Sequence, residues 1–284
     1  MGNKKFCVFI LSHGRPNNVR TLKALQKSNY TGDWYIVIDN EDKTAAEYYK
    51  RFGKDKIIMF DKLAVSKTFD TADNFKERRT VVYARNACFG IAKKLGYKYF
   101  LELDDDYTSF SYRKIEGKKF MEKKCNQLDD IFNLMMKFLD ISGALSVAFA
   151  QNGDFIGGKD NKNYKKGILR KAMNTFFCRT DREFNFLGRV NEDVNTYCRL
   201  GNIGGLFLTI TKFSIHQETT QKQKGGMSEQ YLDSGTYLKS FYTVMYMPSC
   251  TTIAMMGDKH KRLHHKINWN KCVPKILSDK YKKA

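Results

Sequence analysis

The amino-acid sequence predicts an α/β domain built on a doubly wound, mostly parallel, Rossmann-like sheet. Short apolar runs typical of buried strands alternate with amphipathic stretches typical of helices. The 284 residues, 42% of them hydrophobic, are enough for one large packed core. Because the parallel strands of such a sheet end at one edge, we expect ligands to bind there.

The strands are predicted from apolar and β-branched runs, such as the unbroken run from Phe6 to Leu11. They cover residues 6–11, 34–38, 57–60, 97–103, 144–150, 174–178 and 205–211. The fourth of these strands is a buried run that ends in Leu103 and is followed directly by acidic residues. That change from apolar to acidic predicts a functional strand end.

The helices are predicted from apolar residues spaced three or four apart and from residues that begin or end helices. Pro16 favours the start of the first helix, and Gly96 ends the third. The predicted helices cover residues 17–27, 43–51, 78–95, 127–140, 192–200 and 234–246. Residues 109–124 are mixed and basic, and 151–171 and 217–226 are expected to be exposed loops.

The charge of the chain predicts a polyanionic partner. The net charge is +20, from 50 Lys and Arg against 30 Asp and Glu. Residues 159–171 hold six basic residues and one Asp, and the stretch from Lys259 to the end holds nine and only Asp279. Lysine suits contact with a phosphate backbone, although a lysine-rich but ordinary surface is the alternative.

Cysteine usage and hydropathy predict a cytoplasmic protein that is not attached to a membrane. The seven cysteines have no paired spacing, which favours free thiols in a reducing compartment. No apolar run reaches the ~18 residues of a membrane span, and the first residues lack the core of a signal peptide. We expect a cytoplasmic monomer.

Three consecutive carboxylates, Asp104, Asp105 and Asp106, are the strongest chemical signal in the chain. They close a buried strand, so they belong at the ligand edge of the sheet. Hard oxygen ligands beside a phosphorylated substrate suit Mg²⁺ or Mn²⁺ better than zinc. The sequence therefore predicts a divalent cation and a phosphorylated ligand at this strand end.

Other residues of the same edge are candidates for holding a nucleotide. His13, Gly14 and Arg15 follow the first strand, and Asp39 ends the second. The second group of candidates lies in or before the third helix and consists of Asp73, Asn74, Arg78 and Arg85. Neither a GxxxxGK phosphate loop nor a GxGxxG fingerprint is present, which argues against an ATPase and a dehydrogenase.

Four motifs together resemble the GT-A nucleotide-sugar glycosyltransferases. In finer detail the chain resembles the phage branch associated with TET/JBP oxygenases, whose eukaryotic relatives make base J. The motifs are Ser12-His13-Gly14-Arg15-Pro16, Val37-Ile38-Asp39, Tyr83-Ala84-Arg85-Asn86 and the run Tyr99 to Asp106. The resemblance spans about residues 6 to 250. It implies a GT-A-like domain over 1–258, with an acceptor-side extension, followed by a basic segment over 259–284.

The resemblance implies an inverting transfer of a sugar, glucose from UDP-glucose, to a 5-hydroxymethyl pyrimidine in DNA. The base would be 5-hydroxymethylcytosine or 5-hydroxymethyluracil. Asp39 would contact uracil, Arg85 the nucleotide, and Asp104 the ribose or the donor sugar. Asp106 would bind the metal, and a late metal ligand of the family would correspond to His216.

The resemblance also implies that Glu192 and Asp193 begin a helix beneath the acceptor. One carboxylate would remove the proton of the acceptor hydroxyl, with Asp193 the first candidate and Glu192 the second. A base in a duplex must be flipped to reach such a site, and aromatic side chains could stack on it. The candidate platforms are Phe176, Phe177, Phe184 and Phe186, whereas Lys222, Lys224 and the basic segments could follow the phosphates.

Three alternative functions stay open at this point. They are a glycosyltransferase with a polysaccharide acceptor, a DNA-binding protein with an inactive fold, and a nucleotidyltransferase. A further cluster in the tail contains His260, His264, His265, Cys250 and Cys272. Its irregular spacing and the lack of a CxxC pair argue against zinc and favour a basic surface segment.

Overall fold

The structure is a computed structural model that describes residues 4–73, 78–117, 119–217, 238–256 and 261–275. The strands are β1 (Lys4–Leu11), β2 (Asp33–Asp39), β3 (Ile57–Phe60), β4 (Tyr97–Asp104), β5 (Tyr107–Glu116), β6 (Lys119–Lys124), β7 (Ser146–Ala150), β8 (Ile168–Leu169), β9 (Phe176–Arg179), β10 (Phe207–Gln217), β11 (Thr251–Met256) and β12 (Arg262–Ile267). The helices are α1 (Arg20–Lys27), α2 (Ala45–Phe52), α3 (Lys62–Ser66), α4 (Val82–Leu95), α5 (Leu128–Ser142), α6 (Lys162–Lys166), α7 (Glu192–Gly201) and α8, helical over residues 238–246.

One large sheet organises the domain, in the order β3-β2-β1-β4-β9-β7-β10-β5-β6, with β8 beside β10. Parallel pairings join β1 to β2 and β4, β2 to β3, and β7 to β10. β9 is antiparallel to both β4 and β7, so β7 and β10 run in the direction of β1 to β4. The carboxyl ends of all these parallel strands therefore meet at one edge, which we call the carboxyl edge.

Helices cover both faces of the sheet, because each face presents its own apolar layer. One layer packs β1, β2 and β4 against α1, α2 and α5, and includes the fully buried Tyr48. The other packs the same strands against α4 and α7 through residues such as Phe89 and Phe100. Burying a side chain of this size contributes about 1.5–3 kcal/mol. The expected α/β class with a doubly wound sheet is confirmed.

A third, smaller apolar cluster corrects one sequence expectation. Residues 109–124 form the antiparallel hairpin β5–β6, and residues 151–171 are not simply an exposed loop. Phe155 and Tyr164 are buried against Phe120 of the hairpin, and β8 pairs with β10. We call residues 107–124 and 151–171 together the hairpin extension. Sparse apolar residues among many lysines hid it from the sequence analysis.

The C-terminal part packs on the same domain. β11 and β12 form an antiparallel hairpin, and the expected boundary at residue 258 lies between its two strands. Trp269 stacks on Tyr197 of α7 with the ring centroids 5.8 Å apart, and the buried Cys272 donates from its thiol to the carbonyl of Cys198 at 3.4 Å. Residues 261–275 are therefore packed against α7.

Several expectations fall outside the described residues, namely those on Asn74, Lys222, Lys224, His260 and most of the stretch 217–226. All seven cysteines are buried free thiols. Across the described parts of the chain, no helix combines the length and the apolar character needed to cross a bilayer.

Candidate active site

The loop after β1 lies at the centre of the carboxyl edge. Leu11 is paired with Val37 of β2 on one side and with Asp104 of β4 on the other. The backbone turns at Gly14, where φ is +70°, a value that glycine adopts readily. The three strand ends named by the sequence analysis therefore meet in one place.

Asp105 anchors this loop instead of facing a ligand. It is 1% exposed, accepts a 2.5 Å hydrogen bond from the Ser12 hydroxyl and pairs with Arg15 at 3.1 Å. Tyr48 shares a 2.7 Å hydrogen bond with the same Ser12 hydroxyl. Burial raises the pKa of Asp105 to about 6, although Arg15 and Ser12 oppose the shift. The Asp105 carboxylate is therefore buried beneath the loop instead of facing a nucleotide.

Asp39 lies in a network of cations at the end of β2. Its carboxylate is 2.7 Å from Nδ1 of His13 and 3.3 Å from Nζ of the buried Lys62. Burial alone would raise its pKa, but the bonds and charges of His13 and Lys62 outweigh burial, and the pKa is lowered. Asp39 is therefore ionised at neutral pH, with the half-exposed His13 ring beside it.

Arg78 reaches the same side of the edge through Glu41, which accepts hydrogen bonds from its guanidinium at 2.6 and 2.9 Å. Asp73 lies elsewhere, since it pairs with Arg189 at 2.8 Å and accepts a hydrogen bond from Tyr242 of α8. Asp73 also lines a cavity of ≈ 380 Å³ between residues 70–73 and α8. The structure thus brings Arg78 near Asp39, and it engages Asp73 in contacts with Arg189 and α8.

Arg85 joins the two acidic groups of the site. It is 1% exposed, and its guanidinium lies 2.9 Å from Asp104, 3.2 Å from Glu192 and 3.7 Å from Glu102. The guanidinium carbon also lies 4.7 Å from the ring centroid of Phe176. The expected direct contact of Arg85 with a nucleotide is therefore corrected. Arg85 lies beneath the site and fixes the carboxylates of β4 relative to the start of α7.

Glu102 is the unexpected member of this group. It is fully buried, and neither carboxylate oxygen has a hydrogen-bond partner among the residues that the structure describes. Burial raises the pKa of Glu102 to about 8, against the opposing charge of Arg85. A carboxyl group in this environment is protonated at neutral pH. One buried guanidinium thus faces three carboxyl groups, of which one is kept neutral.

Glu192 and Asp193 lie side by side at the start of α7, and their environments differ. Burial raises the pKa of both groups. Glu192 is held by Arg85, whereas Asp193 makes no ion pair within the described ranges and accepts only from the backbone N–H of Val194, at 2.7 Å. The charges of Lys239, Arg85 and Lys171 act on Asp193 and oppose the rise of its pKa. Asp193 is therefore the carboxylate of the pair with more freedom to meet another group.

The residue before this pair links α7 to the C-terminal part. Asn191 is buried with φ at +57°, and its amide donates to the carbonyl of Lys239 at 2.7 Å. The same amide lies 3.3 Å from Nδ1 of His265 in β12. Burial lowers the pKa of His265 to about 3, so this ring is neutral and can accept the bond. The tail histidine therefore contacts the residue that precedes the acidic pair.

Asp106 has the character of a cation ligand. It is half-buried and forms no ion pair with a residue that the structure describes. Burial, followed by the charges of Asp104 and Asp105, raises the pKa of Asp106 to about 7. Negative charge in excess at a strand end is stabilised by a divalent cation. Asp106 is therefore the carboxylate of this strand end with the charge and exposure of a cation ligand, without a complete ligand group around it among the described residues.

His216 is near this strand end in register but is engaged elsewhere. It lies opposite Ser109 of β5, yet its Nε2 bonds Glu122 and its Nδ1 lies 3.0 Å from the amide of Asn152. The Asn152 oxygen accepts from Arg113 at 3.2 Å, so its NH₂ group faces His216. Both ring nitrogens of His216 are therefore engaged by side chains of the hairpin extension. No group of three or more potential ligand side chains that could hold a metal is found in the described residues.

The proposed aromatic platforms are wrong. Phe176, Phe177 and Phe186 are at most 1% exposed, and Phe184 is also buried. Phe176, Phe184 and Phe186 pack in the layer of α4, and Phe177 packs against Phe132 of α5 on the other face of the sheet. Phe176 also packs against Arg85. A phenylalanine buried on all sides cannot stack on an incoming base.

Of the residues at the site that were not predicted, one could have been found from the sequence pattern and the others could not. Glu102 was visible as an acid inside an apolar strand, a pattern that predicts a buried charge with a partner. Lys62, Glu41 and Tyr48 had no local signal, because their roles depend on tertiary contacts with Asp39, Arg78 and Ser12. Only the pairing of β1 with its neighbours brings these residues together.

Comparison with known proteins gives one family and several distant structures. The family model described as TET-Associated Glycosyltransferase matches residues 6–226. No curated protein matches the chain. Glucosyl-3-phosphoglycerate synthase from Mycobacterium tuberculosis, in complex with Mg²⁺ and uridine diphosphate, is 8% identical with a TM-score of 0.47, over 93% of this chain and 88% of that one. Residues 1–349 of TarS from S. aureus are 12% identical with a TM-score of 0.41, over 74% of this chain and 60% of that one.

Proposed function

Because the chain belongs to the TET-associated glycosyltransferase family, we propose that it transfers glucose from UDP-glucose to a 5-hydroxymethyl pyrimidine in DNA. The acceptor base is 5-hydroxymethylcytosine or 5-hydroxymethyluracil. The transfer inverts the anomeric centre and requires Mn²⁺ or Mg²⁺. The family name supports sugar transfer and an association with TET enzymes, and the net charge of +20 supports a nucleic acid as acceptor.

The contact between Arg85 and both acidic groups is the observation that carries this proposal. Asp104 belongs to the strand end where a nucleotide-sugar would bind, and Glu192 begins the helix that would lie beneath the acceptor. Arg85 holds both, at 2.9 and 3.2 Å. A transferase needs its donor and its base at a fixed separation, and a buried guanidinium provides that rigidity.

The chain supplies the base of the reaction. In the proposed step, the carboxylate of Asp193 accepts the proton of the acceptor's hydroxymethyl group. At the same time, the oxygen of that hydroxymethyl group bonds to the anomeric carbon of the sugar. The bond between that carbon and the diphosphate breaks, and UDP leaves with the electron pair. Asp193 is preferred to Glu192 because Glu192 is already paired with Arg85.

The donor side divides into nucleotide and metal contacts. Asp39, with His13 and Lys62 around it, would accept from the uracil ring, and Arg15 and Arg78 supply positive charge nearby. A divalent ion would neutralise the charge that develops on the diphosphate. Asp106 and His216 would hold it. A carboxylate such as Glu122 at Nε2 is the outer partner that metal-bound histidines use, and the ion would take the place of the Asn152 amide at Nδ1.

The test is a mass measurement of nucleosides after reaction. Hydroxymethylated DNA is incubated with the protein, Mn²⁺ and a panel of UDP-sugars, then digested. We expect a hexose added to the hydroxymethyl nucleoside with UDP-glucose, and loss of the product when EDTA removes the metal. Asp106→Asn should lower turnover at least ~10³-fold while the melting temperature and DNA affinity stay within error.

The outcome separates the alternatives. Hydrolysis of UDP-glucose without a modified nucleoside would indicate another acceptor, such as a polysaccharide. DNA binding without any turnover would indicate an inactive fold, and release of pyrophosphate a nucleotidyltransferase. Wild-type turnover by Asp106→Asn would remove this residue from the metal site.

A further inference from the structure

The hairpin extension is a folded unit with its own apolar core. The rings of Phe120 and Tyr164 meet with centroids 4.7 Å apart, and the Arg113 guanidinium lies 4.1 Å from the centroid of Phe155. Arg113 also pairs with Glu122 at 3.0 Å. These contacts join β5 and β6 to residues 151–171, so the side chains on the outer surface of the extension have defined positions.

The charge of the hairpin extension is high for its size. Its 39 residues contain twelve Lys and Arg against four Asp and Glu, which is +8 of the net charge of +20. The exposed lysines on both segments are Lys119, Lys124, Lys159, Lys162, Lys165 and Lys166. Among these, only Lys165 is ion-paired with a described residue, Asp160. Most of this positive charge is therefore available to a partner.

The extension directly adjoins the acidic edge. β5 begins at Tyr107, the residue after Asp106, and Asn152 contacts His216 at 3.0 Å. A polyanion is repelled by the carboxylates of the edge itself, so an anionic acceptor needs cations beside that edge to hold it. The hairpin extension begins at this edge and, because β5 runs antiparallel to β10, carries its cations along the side of the sheet that leads away from Asp106.

We propose that the exposed lysines of the hairpin extension bind the phosphodiester backbone of DNA and hold the acceptor strand beside the carboxyl edge. The inference rests on the proposed function in one respect, namely that the acceptor is DNA. Lysine ammonium groups on flexible stems bind phosphates without reading bases, so the surface provides affinity and orientation rather than sequence choice. Recognition of the hydroxymethyl base belongs to the edge itself.

The test compares two variants with the same change of charge. The extension variant carries Lys119→Gln, Lys124→Gln, Lys159→Gln, Lys162→Gln and Lys166→Gln. The control variant carries Lys5→Gln, Lys27→Gln, Lys54→Gln, Lys94→Gln and Lys98→Gln, all exposed positions on or towards the opposite edge of the sheet. DNA affinity is measured by fluorescence anisotropy at several salt concentrations, together with melting temperature and UDP affinity.

We expect the extension variant to lose at least about tenfold in DNA affinity and to lower the slope of log K against log salt by roughly 3 to 4.5, since each phosphate contact contributes ~0.9. The control variant should keep the slope of the wild type. Equal slopes in the two variants would overturn the proposal. So would an extension variant that retains DNA binding but loses binding to phosphatidylserine vesicles, because the surface would then serve a membrane.

The proposed function can fail separately from this inference. A wild type that binds DNA with an extension-dependent salt slope, but never adds a sugar to it, refutes the transfer and leaves the DNA-binding surface intact. A wild type that glucosylates DNA with both variants equally active and equally bound refutes the surface and leaves the transfer intact.

Discussion

The carboxyl edge and the hairpin extension differ in whether their charged side chains are buried and paired or exposed and unpaired. At the edge, charges are buried and paired, as in the contacts of Arg85 with Asp104 and Glu192. On the extension, lysines such as Lys159 and Lys162 are exposed and have no ion-pair partner in the described residues. A buried charge has few possible partners and fixes geometry, whereas an exposed one adapts to a mobile polyanion. Single substitutions should therefore be severe at the edge and mild on the extension.

The largest effect is expected where the acidic pair meets the acceptor. Asp193→Asn keeps the size of the side chain but removes the base, so we expect kcat to fall about 10²- to 10⁴-fold. UDP affinity, measured by calorimetry, should stay within about twofold, because Asp193 makes no ion pair with the described donor-side residues.

Glu192→Gln is the matched variant for that experiment. Its carboxylate is held by Arg85, so its loss should disturb the position of α7 more than proton transfer. If Asp193→Asn retained wild-type kcat while Glu192→Gln lost it, the roles of the two carboxylates would be exchanged. Loss of UDP binding in Asp193→Asn would show that Asp193 contacts the donor and does not act as the base.

Removing Arg85 should cause the next largest effect. Arg85→Met leaves Glu102, Asp104 and Glu192 without their shared cation, and unpairing buried charges costs about 3–5 kcal/mol. Chemical denaturation measures this free energy of unfolding. Lys165→Met on the hairpin extension also breaks an ion pair, with Asp160, but both partners are exposed and the expected change is within about 0.5 kcal/mol. Similar losses in the two variants would contradict the contrast between the regions.

The sequence predicted the edge better than the extension, for physical reasons. The strand ends at Asp39 and Asp104 follow continuous apolar runs, and parallel pairing brings such ends together. The hairpin extension is built from a few aromatic residues among lysines, and its core forms only when residues distant in sequence meet, as Phe120 and Tyr164 do. Local patterns do not carry that information.

Which residue types gather at the site was easier to predict than how deeply each of them is buried. Arg85 and Asp105 both lie at the carboxyl edge, but both are buried beneath its surface. A sequence motif indicates that charges gather, and only packing decides which of them faces the ligand. The same limit applies to Phe176 and Phe186, which lie near the acidic pair in sequence but are enclosed by the core.

The smallest expected effect is the pH dependence of stability due to Glu102, which compares a buried carboxyl group of the carboxyl edge with an exposed one of the hairpin extension. Its pKa is raised from 4.5 to about 8, first by burial, so the folded state holds a proton that the unfolded state releases above pH 4.5. The stability that this proton contributes is complete below pH 4.5 and is lost as the pH rises to about 8. Glu102→Gln cannot ionise, so the variant should gain at least about 1 kcal/mol relative to wild type between pH 5 and pH 8. Glu116→Gln on the hairpin extension removes an exposed carboxylate that is paired with Lys114, and this pairing lowers the pKa of Glu116. The difference in unfolding free energy between Glu116→Gln and wild type should therefore stay constant over the same pH range. A constant difference for Glu102→Gln as well would mean that Arg85 keeps this carboxylate ionised, and the edge would then hold three charged acids around one guanidinium.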